Sequence, residues 1–297
     1  MSLRSTAVGI HASADGGAGV GWEQPVRQEI ATLKPEVIKF QSSHDPRMVG
    51  TIVQDNLQHI KAVIIRAFLD WGGRPLIPQD FVNGTLEDTE RTVNQVKAQG
   101  IPSANIIVEL HNEPNLTLEG LSSSWQNGTE CLAFFAQVLD QFKARIPDVK
   151  YGMGALSPGG SINIRRDSKL FLKEMMQHSR WNDFNVHLVH LYTTGNWDND
   201  IWWLDHCQAK TPANMGIWIT ESSFHTSNGT SGTDYAAKLV ELLNRLDQRP
   251  TRGVTFYCVS ASNPDFQHEA WCRSTNGGPF ENVASRGIAA EIRQLRP

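Results

Sequence analysis

Short apolar runs alternate with longer amphipathic segments eight times along the 297 residues, and this alternation constrains the fold more than any other feature. The runs are rich in β-branched residues and end at turn residues, as buried strands do. Strands are predicted over Ala7–His11, Glu36–Phe40, Ala62–Leu69, Ile106–Leu110, Lys150–Leu156, Phe184–Tyr192, Met215–Glu221 and Gly253–Val259. Helical spacing predicts helices over Pro25–Leu33, Pro46–Leu57, Leu86–Ala98, Glu130–Arg145, Leu170–His178, Asp200–Gln208, Asp234–Leu246 and Val283–Leu295.

This alternation of strands and helices predicts a parallel sheet, because each helix returns the chain to the same end of the sheet. Eight units favour a closed barrel over an open doubly wound sheet, and 297 residues suit a barrel of roughly 250 residues with insertions. Neither a sequence repeat nor a Pro/Ser-rich linker divides the chain. The sequence therefore predicts an α/β fold, a (β/α)8 TIM barrel, as one domain over residues 1–297.

Composition and motifs exclude several classes of partner. The chain has 40% hydrophobic and 20% charged residues and a net charge of −4, without the basic cluster that nucleic acid binding needs. No apolar stretch approaches the roughly 18 residues of a transmembrane helix, so no membrane partner is expected. The glycine-rich loop at 12–21 lacks the nucleotide-binding register, and no metal-ligand spacing appears. His187 and His190 should point to opposite faces of one strand, so no metal and no cofactor are predicted.

A polar site is predicted where the fourth strand ends. The segment 106–115 reads IIVELHNEPN, and Pro114 cannot continue the strand because it lacks an amide hydrogen. Period-two alternation would place Glu109, His111 and Glu113 on one face, where core residues normally point. Burying such groups is costly unless they are partnered, which favours a functional cluster over an ordinary turn.

A second strand has the same design. The run Met215–Glu221 also ends in a glutamate, and Glu221 follows Glu113 by 108 residues. An eightfold repeat would have about 37 residues per unit, so three units come to about 111 residues. The two glutamates are therefore predicted on the fourth and seventh strands, at the rim where active sites of such barrels lie.

Three strand ends together resemble the clan A glycoside hydrolases, which are retaining glycosidases with a (β/α)8 barrel. They are the Asn-Glu-Pro motif at 112–114, the glutamate at 221, and the His-Leu-Tyr motif at 190–192. The resemblance implies that Glu113 is the acid/base, that Asn112 binds the sugar 2-hydroxyl, and that Glu221 is the nucleophile. It also implies that Tyr192 donates a hydrogen bond to Glu221. His190 then lies two residues earlier on the same strand face.

The resemblance implies a glycosidase of polysaccharide degradation that cleaves β-linked poly- or oligosaccharides. Two glutamates would perform a double displacement, which requires carboxyl groups about 5 to 5.5 Å apart. One alternative is a carbohydrate-binding barrel with little or no catalytic activity. Another is a different barrel hydrolase or lyase in which Glu113 and Glu221 do not meet.

Charged residues on earlier strands are predicted to support the site. Glu109 and His111 are expected to hydrogen-bond within it, with Lys39 or Arg66 as partners. Clan members commonly place an arginine at the end of an early strand, near the nucleophile. In this sequence the second strand carries Lys39 and the third carries Arg66. The resemblance does not decide which of these two residues corresponds to the arginine of the clan members.

Aromatic side chains are predicted to contact the sugar. Clan members often end the eighth strand with a tryptophan, and Tyr257 or Trp271 is predicted to substitute for it here. Flat rings in loops after strands can stack on sugar faces. The tryptophans in such loops are Trp71, Trp125, Trp197 and Trp271. The tryptophans within predicted helices and strands are better explained by packing than by sugar contact; they are Trp202, Trp203 and Trp218.

The sequence also bears on the cellular compartment of the protein and on the redox state of its cysteines. The first residues, MSLRST, lack the charged and apolar regions of a secretory signal, so a cytoplasmic protein, or a secreted one whose signal was removed, is expected. Cys258 and Cys272 could bridge a loop after the eighth strand, but four widely spaced cysteines favour reduced buried thiols. No feature of the sequence specifies an oligomeric state.

Overall fold

Eight parallel strands close into a barrel in the computed structural model, which describes residues 6–13, 24–193, 195–224, 231–261, 268–274 and 283–296. The strand order follows the chain order, and the first strand pairs with the eighth to complete the ring. The strands are β1 (Ala7–His11), β2 (Val37–Gln41), β3 (Ala62–Ala67), β4 (Ile106–Leu110), β5 (Lys150–Met153), β6 (Val186–Thr193), β7 (Gly216–Phe224) and β8 (Thr251–Phe256). The predicted (β/α)8 architecture is confirmed.

A helix follows each strand and packs on the outside of the barrel. The helices are α1 (Gln24–Leu33), α2 (Pro46–Asn56), α3 (Pro78–Ala98), α4 (Gly128–Arg145), α5 (Ser168–Gln177), α6 (Ile201–Lys210), α7 (Gly232–Leu246) and α8 (Ile288–Leu295). The prediction that α3 begins at Leu86 is wrong. Pro78 opens the helix instead, and the side chain of Asp80 accepts a hydrogen bond from the amide of Ile77 at its start.

The final predicted helix begins later than expected. Val283–Ser285 forms a strand, β10, that pairs antiparallel with Cys272–Ser274, β9. Gly287 has a φ of 69° and separates this strand from α8, because a residue in the left-handed region interrupts helical geometry. Residues 14–21 of the glycine-rich loop lie outside the described residues.

The interior of the barrel changes from apolar to charged along the strands. A small apolar cluster includes Val37, Ile64, Ile107 and Leu188. Two residues further along the same strands, and thus on the same face, come Lys39, Arg66, Glu109 and His190. The larger apolar core lies between the strands and the helices. The barrel interior therefore has an apolar layer toward the amino-terminal ends of the strands and a buried charged layer toward their carboxyl-terminal ends.

A β-bulge in β7 places two successive side chains in this charged layer. The register between β6 and β7 shifts so that His190 pairs with Glu221, and Thr220 has no pairing partner on β6. Thr220 donates a hydrogen bond to Glu109 of β4, and Glu221 accepts from Lys39 of β2. A regular strand would turn one of these two side chains outward, so the bulge directs both into the barrel.

The four cysteines are free and buried, which confirms the reduced-thiol prediction. Cys258 and Cys272 are not bridged. Burial raises the pKa of Cys131 and Cys207 well above the usual value, so these thiols stay protonated. Within the described parts of the chain, no helix combines the length and the apolar character needed to cross a membrane.

The four loop tryptophans are core residues. Trp71, Trp125, Trp197 and Trp271 are each at most 1% exposed, so no ring face is open to a sugar. All four rings belong to the large apolar core of the protein. Three indole N–H groups donate hydrogen bonds inside the protein, to Ser124, to the carbonyl of Pro114 and to the carbonyl of Lys238. The prediction that these four rings stack on sugar is therefore wrong.

Replacing Trp71 with alanine should lower the free energy of unfolding by about 3–5 kcal/mol, because its ring fills a fully buried space against Trp125 and Phe81. Urea denaturation at pH 7 measures this loss. Trp202→Ala is the control, because Trp202 is 38% exposed and should cost less than about 1 kcal/mol. Equal losses in the two variants would contradict the assignment of Trp71 to the core.

Candidate active site

Four buried charges form the floor of the candidate site. Lys39 Nζ lies 2.6 Å from Glu109 Oε2 and 3.3 Å from Glu221 Oε1. Arg66 donates from Nε to Glu109 Oε2 at 3.3 Å and from Nη2 to Glu221 Oε1. The two cations and two carboxylates neutralise one another, and each cation contacts both carboxylates. The predicted support of the site by Glu109, Lys39 and Arg66 is present in this geometry.

The electrostatic setting keeps Glu109 ionised although it is completely buried. Burial raises the pKa of a carboxyl group, but Lys39 and Arg66 outweigh this effect and hold the pKa of Glu109 well below its usual value. Its second oxygen, Oε1, accepts a hydrogen bond from Thr220 at 2.9 Å. Sequence reasoning did not single out Thr220, because only the bulge in β7 turns it inward.

Glu221 is likewise held as an anion. Burial opposes its ionisation, but Arg66, His190 and Lys39 together lower its pKa well below the usual value. Tyr192 donates a hydrogen bond from its hydroxyl to Glu221 Oε2 at 2.5 Å, where the resemblance places a tyrosine donor. One oxygen of the Glu221 carboxylate is therefore held by the phenol and the other by two cations, so the carboxylate is fixed in one orientation.

His190 brings the two site glutamates together. Its Nδ1 lies 2.9 Å from Glu113 Oε1 and 3.7 Å from Glu221 Oε2. Because both distances end on the same nitrogen, their sum of 6.6 Å is the upper limit for the separation of the two oxygens. Burial opposes protonation of His190, but Glu221, Glu109 and Glu113 raise its pKa. A cationic imidazole between two carboxylates would reduce their mutual repulsion.

The end of β4 departs from the predicted alternation. His111 has a φ of 78° and Glu113 a φ of 34°, both in a region that residues other than glycine rarely adopt. His111 therefore points out of the barrel and stacks between Phe68 and Phe135. The prediction that it shares a face with Glu109 and supports the charged cluster is wrong. The same turn directs Glu113 back over the barrel mouth.

Hydrogen bonds fix the loop that follows Glu113. Trp125 donates its indole N–H to the carbonyl of Pro114 at 2.8 Å. The buried side chain of Asn115 donates to the carbonyls of Ser157 and Arg166 and accepts from the amide of Ser157. These bonds tie the loop after β4 to the loop after β5. Glu113 therefore projects from an ordered segment, although its side chain is still 17% exposed.

Asn112 makes a contact that the sequence did not predict. Its Nδ2 donates a hydrogen bond to Glu119 Oε1 at 3.1 Å. Glu119 lies seven residues further along, at the end of the 3-10 turn Thr117–Glu119. No periodic pattern connects a strand end to a glutamate in the following loop, so the sequence held no signal for this pair.

Tyr257 follows β8 and lines the side of the site near β1. It is 7% exposed, stacks on His11 with ring centroids 5.5 Å apart, and lies 6.3 Å from the ring of Tyr192. Burial and the nearby charge of Lys39 hold the pKa of His11 well below the usual value, so its ring is neutral. Of the two predicted replacements for a tryptophan after β8, only Tyr257 lies next to the site.

A small cavity adjoins the site beside Tyr192. Its volume is about 210 Å³, and its walls include Arg165, Asp200 and Trp202. Trp202 is 38% exposed, and the ammonium of Lys169 lies 4.3 Å from its ring centroid. Sequence reasoning assigned Trp202 to packing, but the residue is partly exposed to solvent beside this cavity. Its position in α6 did not reveal this exposure, because exposure depends on which face of the helix points to solvent and which face packs on the barrel.

The described residues offer no cluster of three or more histidine, cysteine, aspartate or glutamate side chains that could hold a metal ion. His187 points away from the barrel interior, as predicted, and its Nδ1 contacts Thr211 Oγ1 at 2.6 Å. His190 points inward to Glu113. The groups that meet at the rim are thus two carboxylates, a histidine, a tyrosine and an amide.

Solved structures share this architecture over almost the whole chain. An endo-β-1,3-glucanase of family GH128 from Sorangium cellulosum superposes with a TM-score of 0.56, covers 96% of this chain and 97% of its own, and is 16% identical. An endo-1,4-β-mannanase from Rhizomucor miehei gives a TM-score of 0.53, with 97% and 93% covered, at 13% identity. The fold is that of the glycoside hydrolase barrels.

Another glycoside hydrolase barrel, a GH39 β-xylosidase from Caulobacter crescentus, gives a TM-score of 0.60. It is 13% identical and covers 98% of this chain and 71% of its own. No model of a known protein family matches the sequence, and no curated protein matches it. The likeness to glycoside hydrolase barrels is therefore a likeness of fold.

Glu109→Gln should destabilise the protein by about 3–5 kcal/mol at pH 7, because Lys39 and Arg66 would lose one of two shared anions. The folded pKa of Glu109 lies below 4.5, so its stabilisation is present above pH 4.5 and disappears as pH falls through the folded value. The difference in urea midpoint between wild type and variant should therefore be full above pH 4.5 and shrink as the pH is lowered further.

Glu90→Gln is the matched control, because Glu90 pairs with Arg145 at the surface. This variant should differ from wild type by no more than about 1 kcal/mol. A Glu109→Gln protein as stable as the control at pH 7 would show that the buried cluster does not need its charge.

Proposed function

We propose that the protein is a retaining glycoside hydrolase that cleaves β-linked oligo- or polysaccharides. One observation carries this proposal: Glu113 Oε1 and Glu221 Oε2 both lie close to Nδ1 of His190. These two oxygens are therefore at most 6.6 Å apart. Retaining enzymes use carboxyl groups about 5 to 5.5 Å apart, and inverting enzymes about 6.5 to 9.5 Å. The limit is reached only if the three atoms are collinear, so the geometry favours retention.

Glu221 acts as the nucleophile in this proposal. Its carboxylate attacks the anomeric carbon, and the bond from that carbon to the leaving oxygen breaks. Arg66 and Lys39 keep Glu221 ionised before the attack, and Tyr192 orients the oxygen that forms the new bond. The product of this step is a glycosyl-enzyme ester on Glu221.

Glu113 acts as the acid and then as the base. Its proton passes to the leaving oxygen as the glycosidic bond breaks, and the carboxylate that remains later takes a proton from water. That water attacks the anomeric carbon and releases Glu221 as a carboxylate. His190, 2.9 Å from Glu113, stabilises the charge that Glu113 acquires between the two steps. Asn112 binds the 2-hydroxyl of the sugar.

Two observations support a β-linked oligosaccharide as substrate. The structural neighbours named above are a β-1,3-glucanase, a β-mannanase and a β-xylosidase. The cavity beside Tyr192, whose hydroxyl contacts Glu221, also has the partly exposed Trp202 in its wall. An indole at this position offers a stacking surface for a second sugar unit.

Glu221→Ala should abolish turnover of an aryl β-glycoside or β-glucan, because the variant lacks the carboxylate that forms the ester. Azide should restore release of the aryl group and give a glycosyl azide of inverted configuration, since it would attack directly from the vacated side. Polarimetry or NMR of the azide product measures the configuration. Glu113→Ala should lose roughly 10²–10⁴-fold in rate.

Wild-type rates in Glu221→Ala would remove this residue from the nucleophile role. The substrates to screen are cellulose, mannan, xylan, β-1,3-glucan and aryl β-glycosides, with both glutamate variants as controls. Binding of a glycan without release of reducing sugar by wild type across this panel would instead indicate a carbohydrate-binding barrel.

Trp202→Ala should raise KM for an oligosaccharide several-fold and leave kinetics on an aryl glycoside of one sugar unchanged, because only the longer substrate would reach its ring. Steady-state kinetics on both substrates test this. A variant that affected both substrates equally would show that Trp202 is not part of an extended site.

A further inference from the structure

A third carboxylate lies near Glu113 and contacts Asn112. Glu119 is 15% exposed at its side chain and accepts the hydrogen bond from Asn112 Nδ2 described above. Two neighbouring atoms, Glu119 Oε2 and Asn112 Oδ1, are buried and have no hydrogen-bond partner among the described residues. A buried carboxylate whose only side-chain hydrogen bond goes to the predicted sugar-binding amide requires an explanation.

The backbone around Glu119 is held in place. His111 lies with its Nε2 2.7 Å from the carbonyl oxygen of Glu119. His111 is itself enclosed by the rings of Trp71, Phe81 and Phe135. Burial lowers its pKa to about 3, so the neutral ring uses Nε2–H to donate to that carbonyl. The turn that carries Glu119 is therefore fixed relative to the end of β4.

The chemistry of this pair selects one orientation of the Asn112 amide. An ionised carboxylate can only accept hydrogen bonds, so it binds the NH2 group and repels the amide oxygen. The oxygen and the second N–H of Asn112 then keep fixed positions. A protonated carboxyl group can donate as well as accept, so it allows either orientation of the amide.

We propose that Glu119 is a positioning residue, whose carboxylate fixes the Asn112 amide in the orientation that binds the sugar 2-hydroxyl. The proposal rests on the proposed glycosidase function. Asn112 precedes Glu113 directly, so a rotation of its amide would misplace a group next to the reacting bond. Hydrogen bonds to the 2-hydroxyl strengthen in the transition state of glycoside hydrolysis, so misplacement should lower kcat more than it raises KM.

The charge on Glu119 changes within the neutral range. Burial raises its pKa to about 7; the hydrogen bond from Asn112 opposes this, and the charge of Glu113 adds to it. Arg66 on β3 lowers the pKa, and Asp70 after β3 raises it. His111 stays neutral and adds no charge. The carboxylate that fixes Asn112 is thus present above about pH 7, so kcat should rise as pH increases through this value.

The test is a double-mutant cycle of Glu119→Gln, Asn112→Ala and the double variant. Each is assayed on the substrate of the screen that the wild-type protein hydrolyses fastest. Glu119→Gln should lower kcat about tenfold, the effect of one hydrogen bond to a charged group, with little change in KM. In the Asn112→Ala background the same substitution should cost nothing further. The rise in kcat near pH 7 should be absent from Glu119→Gln.

Glu29→Gln is the matched control, because Glu29 is a buried glutamate on α1 that accepts from Ser285 and from the amide of Ala289. It should lower thermal stability without changing kcat or the pH profile. Glu119→Asp provides a second variant if the glutamine variant does not fold. Its shorter side chain should lower kcat while the rise near pH 7 remains, because the charge is kept.

Each outcome is decisive. Wild-type kcat in both Glu119 variants would overturn the positioning role and leave the proposed glycosidase function intact. An equal loss from Glu119→Gln in the wild-type and Asn112→Ala backgrounds would also overturn it, because Glu119 would then act through another group. Absence of hydrolysis by the wild-type protein would overturn the proposed function together with this inference.

Discussion

The candidate site depends on the buried ion cluster of Lys39, Arg66, Glu109 and Glu221. Each charge comes from a different strand, so the cluster forms only when β2, β3, β4 and β7 are in their native register. A charge buried alone would cost many kilocalories per mole, but here each cation contacts two anions and each anion two cations. The same contacts that make burial tolerable also keep Glu221 ionised.

Two local departures from regular strand geometry bring the acids to the barrel mouth. The bulge in β7 turns Thr220 and Glu221 inward together, and the positive φ angles of His111 and Glu113 reverse the chain after β4. Backbone strain of this kind costs of order 1–3 kcal/mol per residue and persists only where the surroundings enforce it. Here the aromatic cage around His111 and the hydrogen bond from Trp125 to Pro114 supply that enforcement.

Regular features were predictable from the sequence, and irregular ones were not. The strand and helix patterns predict the barrel, and the spacing of Glu113 and Glu221 predicts positions on the fourth and seventh strands. Glu221 lies within β7, whereas Glu113 lies three residues beyond the end of β4. Alternation failed at His111, because it assumes that the strand continues to the site residue. The loop tryptophans were misassigned because position in a loop does not reveal whether the loop folds over the core. Glu119 lies outside every periodic pattern, and the helical pattern around Trp202 does not show which face of the helix meets solvent, so the positions of both residues are seen only in the folded chain.

The proposed double displacement requires two carboxyl groups that face one anomeric carbon from opposite sides at short range. The configuration of the first sugar released from a β-linked substrate reports this arrangement directly, because it depends on the number of displacements at that carbon. Proton NMR during the first minutes of hydrolysis, before mutarotation, should show the β-anomer accumulating ahead of the α-anomer. An α-anomer formed first would mean a single displacement by water and would contradict the assignment of Glu221 as nucleophile.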